Sequence, residues 1–495
     1  MGVIARQSIK GALANYLGVA IGFFTTFFVL TRYLTQEEVG LTRVMVDAAL
    51  LFSSLAQLGS NSSVVKFFPY FKDGKSNHGI FGWSFLLPLV GFVLFGLVFL
   101  LFHDSLVGLY ADRSPLVADY FYLLPMLTFF ALYTAVFETN ASVLMRITVP
   151  KLVREVGIRL FNLAAYLLYG YHVISLDVFV WLFCGSYGLA MILNLLYLLR
   201  LGRMSFRIDK HFLDRGKASE ILRYSLYMTV TALAGNITLI NSLFIGAKAG
   251  LALTGIYTIG SYIANVVEVP YRSLGSISRP VIAVAVKENN WAEVNRLGRQ
   301  VSLHQLMVSL LIFYVIWINL DTLFAVIPNG ADYAGGAGVV FVLGMAKILN
   351  SSLSISTDIL NFSRFYSRGL PFILTLTAAA VFLNSPFIDR WGIVGAAAAT
   401  LTAYGIYFLL LLSYLWWKLK VGLFSVAQLK MLLIMGVLML LDAVWGHWLT
   451  PLFGHALLLG AGVKTLVLGG LAAGGVLAWR VSPTVNEMVL KRLKT

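Results

Sequence analysis

The stretch IFGWSFLLPLVGFVLFGLVFLLF, residues 80–102, runs through 23 positions without one Asp, Glu, Lys or Arg. A helix crosses the ~30 Å hydrocarbon core of a bilayer in about 20 residues, so this stretch reads as a membrane span. It has company. The chain of 495 residues is 59% hydrophobic and 12% charged, with a mean hydropathy of +0.84. A soluble domain carries about 25% charge; half of that leaves too little polar side chain to cover a water-soluble surface. The composition excludes a large soluble catalytic domain. It predicts an all-α integral membrane protein of about fourteen transmembrane helices. Their places are 11–31, 41–62, 80–102, 119–143, 157–174, 178–199, 224–246, 251–277, 303–324, 334–357, 369–388, 392–416, 430–449 and 456–479. The alternation of an outer-membrane barrel is absent. The first apolar stretch is longer than a signal-peptide core and lacks its cleavage pattern, so it reads as a retained span.

The net charge is +15. With this count of spans, 29 of the 37 Lys and Arg fall on the side of the N-terminus. Arg32, Arg113, Lys248 and Arg390 fall on the other, and Arg43, Arg272, Lys347 and Lys464 lie inside spans. Basic loops stay in the cytoplasm, so both termini are expected there, and the positive excess is topological rather than a sign of nucleic-acid binding. The single cysteine, Cys184, makes neither a disulfide nor a Cys-type metal site. Gly460-Ala461-Gly462-Val463-Lys464-Thr465 imitates a phosphate loop but has Val463 where a glycine is required. No HExxH or CxxC exists. Neither an enzyme nor a resident cofactor is expected.

The longest polar loop, 200–223, divides the chain into an N-terminal lobe at 1–199 and a second at 224–416. A helix pair at 430–479 and a tail at 480–495 follow. An internal repeat supports two halves. Glu38-Val39-Gly40-Leu41-Thr42 is echoed by Leu253-Thr254-Gly255-Ile256-Tyr257, 215 positions on. Ser186-Tyr187-Gly188-Leu189 is echoed by Ala403-Tyr404-Gly405-Ile406, 217 positions on. Repeated halves are a common transporter architecture.

Thr35-Gln36-Glu37-Glu38-Val39-Gly40-Leu41 resembles the T-x-E-E-[FY]-G-L turn of the polysaccharide-transporter family. So does Trp391-Gly392-Ile393-Val394-Gly395-Ala396-Ala397-Ala398-Ala399-Thr400 at the start of the twelfth span. These are the Wzx-type flippases of the MOP superfamily, which also holds the MATE drug exporters. The resemblance implies a V-shaped, MATE-like bundle of two six-helix lobes plus a C-terminal pair, working by alternating access in a bacterial inner membrane. It implies a cargo of undecaprenyl-diphosphate-linked oligosaccharide, carried to the outer leaflet for O-antigen, capsule or exopolysaccharide synthesis. The implied partners are that lipid-linked oligosaccharide, membrane lipids, and polysaccharide polymerase or export proteins.

Ionisable residues inside a span cost about 2.5–3.5 kcal/mol on insertion scales if they face lipid, so they turn inward. Lys347, Ser351, Ser354, Asp358 and Asn361 share one face of the tenth span, flanked by Asn350 and Thr357. They are expected to line a cavity, a helix–helix contact being the alternative. Arg43 with Asp47, and Glu268 with Arg272, are i,i+4 pairs that neutralise themselves. Either Arg suits a diphosphate, because its planar fork donates two parallel hydrogen bonds. Glu138 has no cation one helical turn away and is a candidate, with Asp47 and Glu268, for coupling to H+ or Na+. Lys464 stands isolated. The four in-span cations match Asp47, Glu138, Glu268 and Asp358, which argues against the acidic cavity of a cation or drug antiporter. A membrane glycosyltransferase is the third reading, and Glu37-Glu38 sits in a loop too short to build its site.

Overall fold

The computed structural model describes residues 14, 16–71, 77–202, 215–448, 457–482 and 486–487. Among these, every regular element is helical. Ten helices are long and apolar enough to cross a membrane, or eleven with the bent pair Gly216–Ala232 and Ile237–Lys248, which turns by 56°. Their outward faces carry Leu, Val and Phe in bulk, as a bilayer solvent requires.

The expected fourteen are not reached by this measure, for identifiable reasons. The helix Gly369–Leu419 holds two expected spans in one assignment. Its only non-helical residue is Gly392, at φ 58° and ψ −137°. A Cβ on Gly395 would collide with the carbonyl oxygen of Phe387. In an unbroken helix, eight residues rise about 12 Å, so the chain must double back at Gly392. Only glycine adopts that backbone without strain. The Trp391–Gly395 motif is therefore a hairpin. The expected span 251–277 is interrupted by a 3-10 turn at Val266–Glu268. Pro270 opens the next helix, Val269–Lys287, where its missing N–H costs nothing. The helix Ile158–Gly170 has 13 residues and is too short alone, but it continues from a π-helical turn at Val153–Gly157.

The chain divides into two compact units, Met1–Thr258 and Ile259–Thr495. The division falls within the eighth expected span and not in the 200–223 loop. The cause is that Arg215–Gly235 and Ile237–Lys248 pack into the first unit. Ser63 and Ser225 share a hydrogen bond, Lys66 lies 3.9 Å from the centre of the Tyr224 ring, and Asn236 donates to Ser54 at 2.9 Å.

The T-x-E-E motif is a helix start. Thr35 caps Gln36–Ala56 and accepts from the Glu38 amide, while the Glu38 carboxylate accepts from the Thr35 amide, which satisfies two backbone donors that a helix end orphans. Tyr169 then donates to the same carboxylate at 2.5 Å. Five residues on, the repeat becomes a contact. A Cβ on Gly40 would collide with the Leu251 carbonyl, and a Cβ on Gly255 with the Gln36 carbonyl. Leu251 stands to Gln36 as Gly255 stands to Gly40, each pair 215 positions apart. The two helix starts thus cross about a local pseudo-two-fold, glycine against backbone on both sides. Small residues permit such close approach in membranes.

In the second unit, Leu303, Leu306, Leu310 and Phe313 of Trp291–Ile318 pack with Met431, Ile434 and Leu438 of the following pair and with Leu468 and Ala472. The C-terminal helices are thereby part of this unit's core.

Candidate functional site: intramembrane charge clusters

Four polar clusters form inside the units. In the first, Arg43 donates from Nε to Asp47 at 2.6 Å, the expected i,i+4 pair. Ser242 donates to the same carboxylate oxygen at 2.6 Å. Asp47 and Ser242 are buried, and Asn241 donates to Tyr257 at 2.7 Å beside them. The cluster lies one to two turns past the Gly40 crossing, so the crossing helps to enclose it.

The second cluster corrects the view of Glu138 as unpaired. Arg154, sixteen residues on, donates to it at 2.6 Å. Arg154 also reaches Glu155 at 3.2 Å, and Glu155 accepts from Arg159 at 3.1 Å. Arg159 hydrogen-bonds the Gly18 carbonyl. A Cβ on Gly18 would strike the Glu155 backbone, and one on Gly22 would meet the far end of the Arg159 side chain. The π turn at 153–157 inserts one residue per turn, a local departure that recurs at functional sites.

The third is a ladder between Val266–Lys287 and Ala337–Phe362. Glu268 accepts from Lys347 at 3.1 Å and from Asn350 at 2.8 Å. The partner expected within its own helix was Arg272, whose side chain lies outside the described residues. Eleven residues further along both helices, Arg279 donates to Asp358 at 3.0 Å and to the Tyr271 hydroxyl at 2.7 Å. Both pairs have the same sequence separation, 79, so the helices run parallel in fixed register, and the charges are reversed between the rungs. Eleven residues are three helical turns, which returns to nearly the same face. Side-chain exposures separate the rungs: 6% and 15% for Lys347 and Glu268, against 42% and 16% for Arg279 and Asp358.

The polar stripe of Ala337–Phe362 is therefore mostly a packed face. Lys347, Ser351 and Ser354 are buried, and Ser354 donates to the Ser351 carbonyl at 3.2 Å. Ser351 Oγ has no hydrogen-bond partner among the described residues. Thr357 pairs with Tyr407 at 2.9 Å. Asn361 is exposed.

The fourth cluster corrects the view of Lys464 as isolated. It meets Asp442 at 2.7 Å and donates to the Ile318 carbonyl at 2.8 Å. Asp442, Arg154 and Arg279 are the residues that sequence reasoning missed. The signal for Arg279 was present: Glu268 and Arg279, like Lys347 and Asp358, are eleven apart.

Many apolar helices with charged side chains paired among them define a multi-pass membrane protein. The chain belongs to the family described as Polysaccharide biosynthesis protein, which matches residues 6–285. A search of curated proteins finds no match. Among solved structures, the chain is similar to one titled lipid II flippase MurJ, inward closed conformation. The TM-score is 0.70 at 12% identity, over 94% of this chain and 98% of that one. An inward-facing multidrug resistance MATE family transporter of the MOP superfamily gives 0.63 at 16% identity, over 85% and 98%. A MOP superfamily transporter from Pyrococcus furiosus, whose title speaks of a binding pocket of reverse polarity, gives 0.51 at 15%, over 85% and 96%. At these identities the likeness shows the MOP transporter fold, as the sequence resemblance implied.

Proposed function

We propose that the protein moves a polyprenyl-diphosphate-linked oligosaccharide from the cytoplasmic to the outer leaflet of a bacterial inner membrane, by alternating access, for surface polysaccharide synthesis. The observation that carries this reading is the set of intramembrane cations, each described one held by a carboxylate, in a chain of the polysaccharide biosynthesis family. A cation at membrane depth is costly unless it serves a polar ligand or a partner, and an anionic headgroup is the ligand such a set favours. Arg43 and Arg272 are the proposed diphosphate contacts, with Lys347, Ser351, Ser354, Asp358 and Asn361 toward the sugars. Glu138, Asp47 and Glu268 are the proposed sites of H+ or Na+ coupling.

The test uses a strain lacking the gene. Spheroplasts are probed with an impermeant lectin or periodate for the fraction of lipid-linked oligosaccharide within reach. Accumulation of an inaccessible intermediate, relieved by the wild-type gene and not by a stably inserted Arg43→Ala, Arg272→Ala double variant, supports the reading. Unchanged access in the deletion strain refutes the cargo; normal export by the double variant refutes the diphosphate role of the two arginines.

A further inference from the structure

The two rungs of the ladder do not have the same physical character. In the Lys347–Glu268 rung the lysine is buried, the carboxylate is 15% exposed, and Asn350 adds a second hydrogen bond, which helps such a pair to offset its desolvation. The Arg279–Asp358 rung is looser. Arg279 reaches the carboxylate through Nε alone and Tyr271 through Nη2, and Nη1 has no partner among the described residues. The guanidinium lies over Gly275, where an added Cβ would sit 3.6 Å from its central carbon, so no side chain beneath it competes for space. Its side chain is 42% exposed. Just past Asp358, the helix ends at Phe362 and leads to exposed Arg364 and Arg368.

A guanidinium binds a carboxylate or phosphate best through two parallel hydrogen bonds. Asp358 makes one. A phosphate ester brings more oxygens and more charge, and can engage the fork of Arg279 while the Tyr271 hydroxyl donates to a further oxygen. Asp358 is then a resident counter-ion that keeps the site neutral when empty and competes with the incoming anion. A rung that only fixed helix register would gain from the closed geometry of its neighbour.

We infer that Arg279 and Tyr271 form a binding station for the phosphate ester of a membrane lipid, with Asp358 as its displaceable internal anion. Lys347 is the next cation on the same face, about 16 Å further along at 1.5 Å per residue. The inference deepens the proposed function by naming a contact for the cargo's diphosphate, and rests on it for the choice between lipid sources.

The experiment measures equilibrium binding to the purified full chain in nanodiscs, with farnesyl diphosphate as probe and farnesol as the phosphate-free control. Arg279→Gln is expected to weaken diphosphate binding by about tenfold or more, the size of a lost charge-assisted hydrogen bond. Asp358→Asn is expected to tighten it severalfold, a gain that misfolding cannot imitate. Farnesol binding is expected to respond to neither. Nanodiscs of phosphatidylglycerol rather than phosphatidylcholine separate the sources. Undiminished diphosphate binding in them supports the diphosphate lipid as occupant; loss of the Arg279-dependent fraction supports the phosphate station with bulk lipid in it and counts against the cargo reading. Diphosphate affinity unchanged by Arg279→Gln, or no gain from Asp358→Asn, overturns the station. If Arg279→Gln also leaves export in cells intact, the proposed function survives without it.

Discussion

The ladder allows the cost of a charge to be compared at two depths with the register held constant. Replacing Lys347 by Met leaves Glu268, 15% exposed, with Asn350 as its remaining described partner. Removing one member of a buried pair costs about 3–5 kcal/mol, because the other charge stays uncompensated. Replacing both members, Lys347→Met with Glu268→Gln, removes that stranded charge and is expected to cost less than Lys347→Met alone, giving a coupling of about 2–3 kcal/mol. At the other rung Arg279 is 42% exposed, a pair with one open member is worth less, and the coupling between Arg279→Gln and Asp358→Asn falls to about 1 kcal/mol or less. The assay is equilibrium unfolding in mixed micelles of the four variants of each cycle. Equal coupling at the two rungs, or additive effects at Lys347 and Glu268, would refute the argument that burial and not sequence spacing sets the energy.

Other consequences follow from particular contacts. Gly40→Ala and Gly255→Ala each push apart the same helix crossing and should each cost about 1–3 kcal/mol; the double variant should cost less than their sum, and strict additivity in the same unfolding assay would mean two independent contacts. Gly392→Ala forces a side chain into φ 58°, ψ −137° and should destabilise by about 1–3 kcal/mol, while Gly405→Ala, with open space at its Cβ, should stay within about 0.5 kcal/mol. Charge reversal across Lys464 and Asp442, which meet at 2.7 Å, should recover part of the stability lost by Lys464→Asp alone; no recovery would show that the Ile318 carbonyl, not Asp442, holds the lysine.

Much of the fold was legible because a bilayer tolerates few alternatives. Apolar stretches such as 80–102 had to become helices; the capping box of Thr35 and Glu38 lay inside a motif that was read only as a family-like turn. The 215-residue offset between Gly40 and Gly255 was legible as a repeat, but that each glycine would touch the other half's backbone depends on how two helices cross, which no local pattern encodes. The site was read less well. Partners one turn away, such as Asp47 for Arg43, follow from helical geometry; partners on another helix do not. Glu138 met Arg154 from the π-helical turn, Glu268 met Lys347, and Lys464 met Asp442, each across a tertiary contact that the sequence separates by 16 to 79 residues. The longest polar loop, 200–223, marks topology by its charge, whereas the compact units Met1–Thr258 and Ile259–Thr495 mark packing.

The central claim is transport of a diphosphate-linked glycan, and purified protein in liposomes tests it most directly. A lipid-linked oligosaccharide bearing a fluorophore on its sugar is placed in both leaflets, and an impermeant reductant is added outside. The account predicts that the protected inner half of the signal decays in liposomes holding the wild-type chain, and decays more slowly with the Arg43→Ala, Arg272→Ala double variant. Persistence of the protected half in the presence of well-folded wild-type protein, with and without an imposed H+ or Na+ gradient, would contradict it.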